Sequence, residues 1–365
     1  MATIPVTIVT GFLGAGKTTL LNALLRDPRF AETAVLINEF GDIQVDHDLV
    51  EEFSDDLVMT TTGCLCCTAS SDIKQSLFEL WAKRKDRKIG VFKRVIVETT
   101  GLMDPVPVVN SLLAPPSGGM IDQIVSRQFA LSRVVTLFDI VNGASTLDNH
   151  PEALKQIALA DVVLLTKTDL AHDPATIRDI ARDRGRIAAI NPGAHILDRA
   201  ADWPMITERL LAGGTYDLRE KSDDAAGWIE AERVLAETGE HGHSHGDGHG
   251  HDHADADRNR HGDNIRSHVI SLERPVSRLV FQLFREALTI SAGTDPLRLK
   301  GLVALRDDPE RPVVVHGVQH LIHPIDKLDR WPSDDKRTRI VIIGRNIDIG
   351  AFRDILESGG KTTGA

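Results

Sequence analysis

The sequence predicts an α/β fold: a parallel sheet with helices on both faces, followed by a smaller α+β domain. Three observations predict it. Apolar, β-branched runs alternate with helical patterns over residues 1–212. A glycine-rich loop follows directly on the first of those runs. The composition then breaks, and order resumes only near residue 268. These breaks divide the chain into a first domain (1–212), a linker (213–267) and a second domain (268–360).

Strands are expected at Val6–Val9, Ala34–Ile37, Leu57–Met59, Val95–Val97, Val134–Phe138 and Val162–Leu165. Their near-continuous apolar character suits strands covered on both sides. Helices are expected at Thr18–Arg26, Asp72–Lys83, Pro151–Ala160, Ala175–Arg184 and Pro204–Leu211. In the second of these, Ile73, Leu77, Leu80 and Trp81 recur at helical spacing and read as core. His, Gly and Asp dominate between Glu240 and Gly262. Such a segment buries too little apolar surface to offset its ordering entropy, and it reads as a disordered linker. Beyond it, Leu279, Val280, Leu283 and Leu288 mark a helix over Val276–Leu288. Strands at Leu297–Leu305, Val313–Val318 and Ile340–Ile343 and a last helix at Ile347–Leu356 complete the second domain, with no signal for strand order.

The bulk numbers bound the function. The 365 residues suffice for two domains, and 42% hydrophobic with 26% charged residues is ordinary for a soluble globular chain. A net charge of −11 argues against nucleic acid and anionic membrane as partners. No apolar run approaches a bilayer span, and the N-terminus has no basic leader, so a cytoplasmic location is expected.

The loop Gly11-Phe12-Leu13-Gly14-Ala15-Gly16-Lys17-Thr18-Thr19 has the spacing of a phosphate-binding P-loop. Its glycines let successive backbone N–H groups face one anion, and the helix behind it turns its positive end the same way. Gly11, Gly14, Ala15, Gly16, Lys17, Thr18 and Thr19 are the expected nucleotide-binding residues. Lys17 reaches the β- and γ-phosphates, and the Thr18 hydroxyl is a Mg²⁺ ligand. Val95-Ile96-Val97 ends in Glu98-Thr99-Thr100-Gly101, a carboxylate where Mg²⁺ or its water would be held. Glu98 is the expected catalytic partner of Lys17, by direct ligation or through water, with helix capping as the plainer alternative. Gly101 can donate its N–H to the γ-phosphate. Leu164-Leu165-Thr166-Lys167-Thr168-Asp169 resembles the guanine-reading element of P-loop GTPases, with Thr166 in place of the usual Asn. Asp169 would accept from the guanine N1 and amine and Lys167 would supply its stem, which favours GTP over ATP. Asn191-Pro192 is either a contact to the base or a plain turn.

All three cysteines, Cys64, Cys66 and Cys67, lie within four residues. Thiolates so clustered, next to the N-terminal end of a helix, suit tetrahedral Zn²⁺, with Co²⁺ or Ni²⁺ as alternatives and redox chemistry as a rival use. Glu39 and Asp42, in the loop where a phosphate-sensing switch would pass, could face either this metal or Mg²⁺. The histidines from His241 to His253 can capture transition metals or serve only as a spacer.

With these motifs in view, the chain resembles the CobW-type metallochaperone GTPases, relatives of the GTPases that aid nickel insertion into urease and hydrogenase. The likeness rests on Gly11–Thr18, Asn38-Glu39-Phe40-Gly41, Gly63–Cys67, Glu98–Gly101 and Thr166–Asp169, with Arg298-Leu299-Lys300-Gly301 and Trp331 further on. It implies a P-loop NTPase domain, slow GTP hydrolysis, Zn²⁺ or a similar ion on the cysteines, and delivery to a client metalloprotein; Glu39 is the candidate further ligand. A homodimer is compatible with it. The rivals are a metal buffer without nucleotide coupling, a P-loop kinase or ATPase, and a cobalt chaperone for cobalamin synthesis or nitrile hydratase maturation.

Overall fold

The computed structural model describes residues 3–38, 58–62, 71–116, 118–171, 173–212, 265–291, 296–319, 321–322 and 326–358. The first unit is built from β1 (Ile4–Gly11), α1 (Lys17–Leu25), β2 (Thr33–Asn38), β3 (Val58–Thr62), α2 (Ser71–Lys85) and β4 (Arg94–Glu98). It continues through α3 (Val106–Leu113), α4 (Met120–Gln128), β5 (Phe129–Asp139), α5 (Gly143–Asn149) and α6 (Pro151–Leu159). β6 (Val162–Thr166), α7 (Pro174–Ile190), β7 (His195–Asp198) and α8 (Trp203–Leu211) complete it.

The seven strands are parallel, in the order β3-β2-β4-β1-β5-β6-β7. Both faces are covered, as the apolar runs require. Val6 and Ile8 of β1 join Leu77 and Leu80 of α2 on one side, while Val9 joins Leu20, Leu21 and Leu24 of α1 on the other. The chain leaves β1 toward β2 and later crosses back past β1 to lay down β5. The carboxyl ends of β4, β1 and β5 therefore frame the crevice where the order of strands reverses, the usual ligand site of an open parallel sheet.

The second unit is an antiparallel sheet in the order β11-β10-β9-β13-β8, with β12 also pairing with β10. Its strands are β8 (Ile265–Leu272), β9 (Pro296–Leu305), β10 (Asp308–Val318), β11 (Leu321–Ile322), β12 (Asp326–Lys327) and β13 (Thr338–Arg345). Helices α9 (Arg278–Ser291) and α10 (Ile349–Ser358) cover one face around Phe284 and Phe352. Apolar residues of the sheet, Leu297, Val341 and Ile343, meet Ala158 of α6 and Leu154 and Ile190 from the first unit.

Every expected strand and helix that lies in the described residues is present, with ends shifted by a few residues. Four departures matter. β7, α3, α4 and α5 are additional elements. β8 begins at Ile265, inside the segment read as linker, because an edge strand of mixed polarity carries little apolar signal. α7 runs on to Ile190 rather than ending at Arg184. Leu279 and Leu283, expected on the core face of α9, are 67% and 46% exposed; Val280, Phe281, Phe284 and Leu288 are buried instead. Large aromatic rings bury more area than leucine, so Phe281 and Phe284 set the rotation of the helix.

Candidate functional site

The loop after β1 has the backbone a phosphate cradle needs. Gly11, Gly14 and Gly16 have φ of 137°, 73° and 91°, a region that side chains strongly disfavour. No atom lies within 4 Å of where a Cβ on Gly14 or Gly16 would stand, so the space above the loop is open. Ala15 is buried; Thr19 is exposed on the first turn of α1. Lys17 Nζ donates to the carbonyls of Gly11 (2.9 Å) and Phe12 (3.2 Å), which keeps its charge at the loop.

β4 supplies the opposing wall. Its last residue, Glu98, is buried, and its Oε1 accepts from Thr18 Oγ1 at 3.2 Å. The two oxygens expected near one Mg²⁺ are thus neighbours, and hard oxygen donors suit that ion. Thr99 ties β4 to β1 twice: its N–H donates to Val9 O (3.0 Å) and its hydroxyl to Thr10 Oγ1 (2.9 Å). Thr100 Oγ1 is buried without a partner among the described residues, an orphan consistent with a missing polar ligand. Gly101 packs directly on the glycine-rich loop. A Cβ there would lie 2.5 Å from Leu13 N and 2.8 Å from Leu13 Cα.

The third wall comes from β5 and β6. Asp139 ends β5 as Glu98 ends β4; its Oδ2 accepts from Lys167 Nζ (2.6 Å) and Asn142 Nδ2 (3.0 Å). Asp139 is absent from the sequence-based site, although an apolar strand ending in a carboxylate was the signal that found Glu98. Lys167 is left-handed, φ 62°, which turns the chain after β6 so that Asp169 stands exposed at its carboxyl end. Thr166, which looked like a weakened asparagine, has a function of its own: its hydroxyl donates to Ala15 O at 2.9 Å and binds β6 to the phosphate loop.

Two expectations fare differently. Asn191 does not join the site. It is 2% exposed, and its amide donates to the carbonyls of Ile157 (2.8 Å), Ala158 (3.2 Å) and Ala160 (2.9 Å), closing the C-terminal end of α6. It precedes β7 and so sits at the opposite end of the sheet from Lys17; of its two readings the turn is present, with Ala194 N–H donating to Asn191 O at 3.2 Å, and the base contact is not. The metal set Cys64, Cys66, Cys67 and Glu39 lies outside the described residues, as does the histidine run. Among the described residues no group of three His, Cys, Asp or Glu side chains could hold a metal ion. A cavity of about 920 Å³, lined by Phe281, Arg285, Ile290, Leu321 and Lys327 of the second unit and by Pro115 of the first, contains none of the motif residues. No helix among the described residues is long and apolar enough to cross a membrane.

Residues 5–198 match the family described as CobW/HypB/UreG, nucleotide-binding domain. The chain belongs to that family. Residues 265–359 match a second description, the cobalamin synthesis protein cobW C-terminal domain. Among CobW relatives, the zinc chaperone CobW of Pseudomonas aeruginosa is 30% identical over 391 residues, covering 98% of this chain and 92% of that protein. The zinc chaperone YjiA of Escherichia coli is 28% identical over 344 residues, covering 94% and 95%. The zinc-regulated GTPase metalloprotein activator 1 of Schizosaccharomyces pombe is 28% identical over 373 residues, covering 94% and 83%. The crystal structure of Zn(II)-bound YjiA GTPase from E. coli superposes with a TM-score of 0.66 over 98% of this chain and 99% of that one, at 23% identity, which supports the fold.

Proposed function

We propose that this chain is a slow GTPase that couples nucleotide state to loading and delivery of Zn²⁺ to a client metalloprotein in the cytoplasm. The observation that carries the reading is the meeting of Thr18 and Glu98 beside a glycine cradle, with Gly101 against that cradle, in a chain whose relatives are named zinc chaperones and a zinc-regulated GTPase.

In this reading the backbone N–H groups of Gly14 to Thr19 and the Lys17 ammonium hold the phosphates. Thr18 and Glu98 hold Mg²⁺, directly or through water, and the ion supplies positive charge against the phosphate oxygens. Asp169 reads guanine, while the Asp139 carboxylate fixes the Lys167 stem beside it. Glu98 or its neighbours orient the attacking water, whose oxygen bonds to the γ-phosphorus as the bond to the bridging oxygen breaks; its proton passes to the phosphate, and GDP and inorganic phosphate leave. The described residues supply no clear general base, and turnover is slow without a partner. Cys64, Cys66 and Cys67, with Glu39, form the cargo site, since soft thiolates select zinc over hard cations.

The test is equilibrium Zn²⁺ titration of wild-type protein loaded with GTP or GDP, beside Lys17→Ala and Cys66→Ala. The expected result is a nucleotide-dependent zinc affinity that disappears in both variants. Equal affinity in every nucleotide state would leave only a metal buffer.

A further inference from the structure

Helix α6 is fastened to three separate parts of the molecule. At its start, the ring of His150 packs against Phe12 of the phosphate loop, tilted by 35° with centroids 4.5 Å apart. In its middle, two side chains grip the loop that follows Glu98. Lys155 Nζ pairs with Asp104 Oδ2 at 2.7 Å. Gln156, only 1% exposed, donates from Nε2 to Gly101 O (3.1 Å) and Met103 O (3.2 Å). At its end, Leu159 O accepts from Arg298 Nη1, and the next residues lead to Asp161, whose Oδ1 pairs with Arg298 and with Lys300 (2.9 Å). Arg298 and Lys300 stand on β9, in the centre of the second sheet.

We propose that Gln156 is a positioning residue for GTP hydrolysis: it sets the loop from Thr99 to Asp104 against the phosphate cradle, and α6 makes that setting depend on the Arg298–Lys300–Asp161 contact with the second domain. This rests on the GTPase reading above. Both amide hydrogens of Gln156 are directed at loop carbonyls, and Gly101 is already in van der Waals contact with Leu13. The loop therefore has no slack on either side. A close-packed interior transmits such a displacement rather than absorbing it. Three buried charges at the far end resist sliding, because separation would forfeit their mutual attraction where water cannot replace it. Gln156 touches no reacting atom in this scheme; it acts through the Gly101 backbone.

The experiment measures kcat and KM for GTP, and GDP affinity, in the full chain. Gln156→Met keeps length and volume but removes both donors. It is expected to lower kcat by about tenfold to a hundredfold, in line with a misplacement of around an ångström, with KM and GDP affinity within about threefold of wild type. Arg298→Met is expected to lower kcat in the same direction, and the double variant to be about as slow as the stronger single change. Full additivity would overturn the relay through α6. Should Gln156→Met fail to fold, Lys155→Met removes the neighbouring tie and is read the same way. Unchanged kcat, or a raised KM alone, would overturn the positioning role while leaving the GTPase reading intact. A wild type that hydrolyses no GTP would overturn that reading itself.

Discussion

The two sheets put their polar residues to use in different places. In the parallel sheet, strand interiors are mostly apolar on both faces, apart from Arg133 of β5, and the site residues stand at the carboxyl ends: Gly11, Glu98, Asp139 and Thr166. In the antiparallel sheet, buried charges sit within the strands, with Arg298 and Lys300 in β9 and Arg339 in β13. One sheet offers an edge to a ligand, whereas the other offers a face to its neighbour domain. A strand end can exchange partners as a nucleotide comes and goes, since water and backbone are close at hand. A charge in the middle of a sheet is fixed by the matching charge opposite. The comparison teaches that the second domain is attached through specific polar contacts, and not merely by apolar packing.

The largest effect should come from breaking that attachment. Asp161→Ala leaves two cations, Arg298 and Lys300, buried beside each other without their carboxylate. Removing one partner of a buried ion group costs about 3–5 kcal/mol. The expectation is a loss of that size in denaturant unfolding. A loss under about 1 kcal/mol would mean that the face only rests on the first domain, and the contrast drawn above would fail.

A smaller effect is expected at the ligand edge. Gly101→Ala drives a Cβ to 2.5 Å from Leu13 N, so the phosphate loop or the Thr99–Asp104 loop must move. Overpacking of this kind costs about 1–3 kcal/mol. Because both loops belong to the nucleotide site, GTP hydrolysis should fall further than stability does. If hydrolysis were unchanged in a protein of lowered Tm, the strand-end region would be only structural at this point.

What the sequence disclosed divides along the same line. Strands such as Val95–Val97 were legible because they are apolar runs, and Glu98 was legible because a carboxylate follows one. The fold of the first domain could be read from those runs and the glycine spacing together. α3 was not, because Val106-Pro107-Val108-Val109 has a strand-like composition and is helical only through its tertiary packing. The two readings of Asn191 could not be separated, because residue type does not say which end of the sheet a turn occupies. Gln156 was invisible, since its partners Gly101 and Met103 are more than fifty residues away in the chain. The order of the second sheet was equally hidden, because strand composition gives no local signal of which strand lies alongside.

The smallest expected effect lies on neither functional surface and so serves as a control for both. Asp173 caps α7, its Oδ1 accepting from the N–H groups of Ala175 (2.8 Å) and Thr176 (3.0 Å) and its Oδ2 from the Thr176 hydroxyl (2.6 Å). The Thr176 hydroxyl and these backbone donors hold the carboxyl below its ordinary value of 3.8. A depressed folded pKa means that the carboxylate favours the native state above the unfolded value, and that this contribution disappears as pH falls through the folded one. The window therefore lies at and below pH 3.8. Amide exchange at Ala175 and Thr176 should be insensitive to Asp173→Ala only at the acid end of that window and should differ from wild type above it. Since Asp173 is fully exposed, the change should stay local to the first turn of α7 and leave GTP turnover untouched at neutral pH. If turnover fell with it, α7 and β7 would belong to the coupled body that α6 defines, and the boundary between the strand-end site and the rest of the first domain would have to be drawn further out.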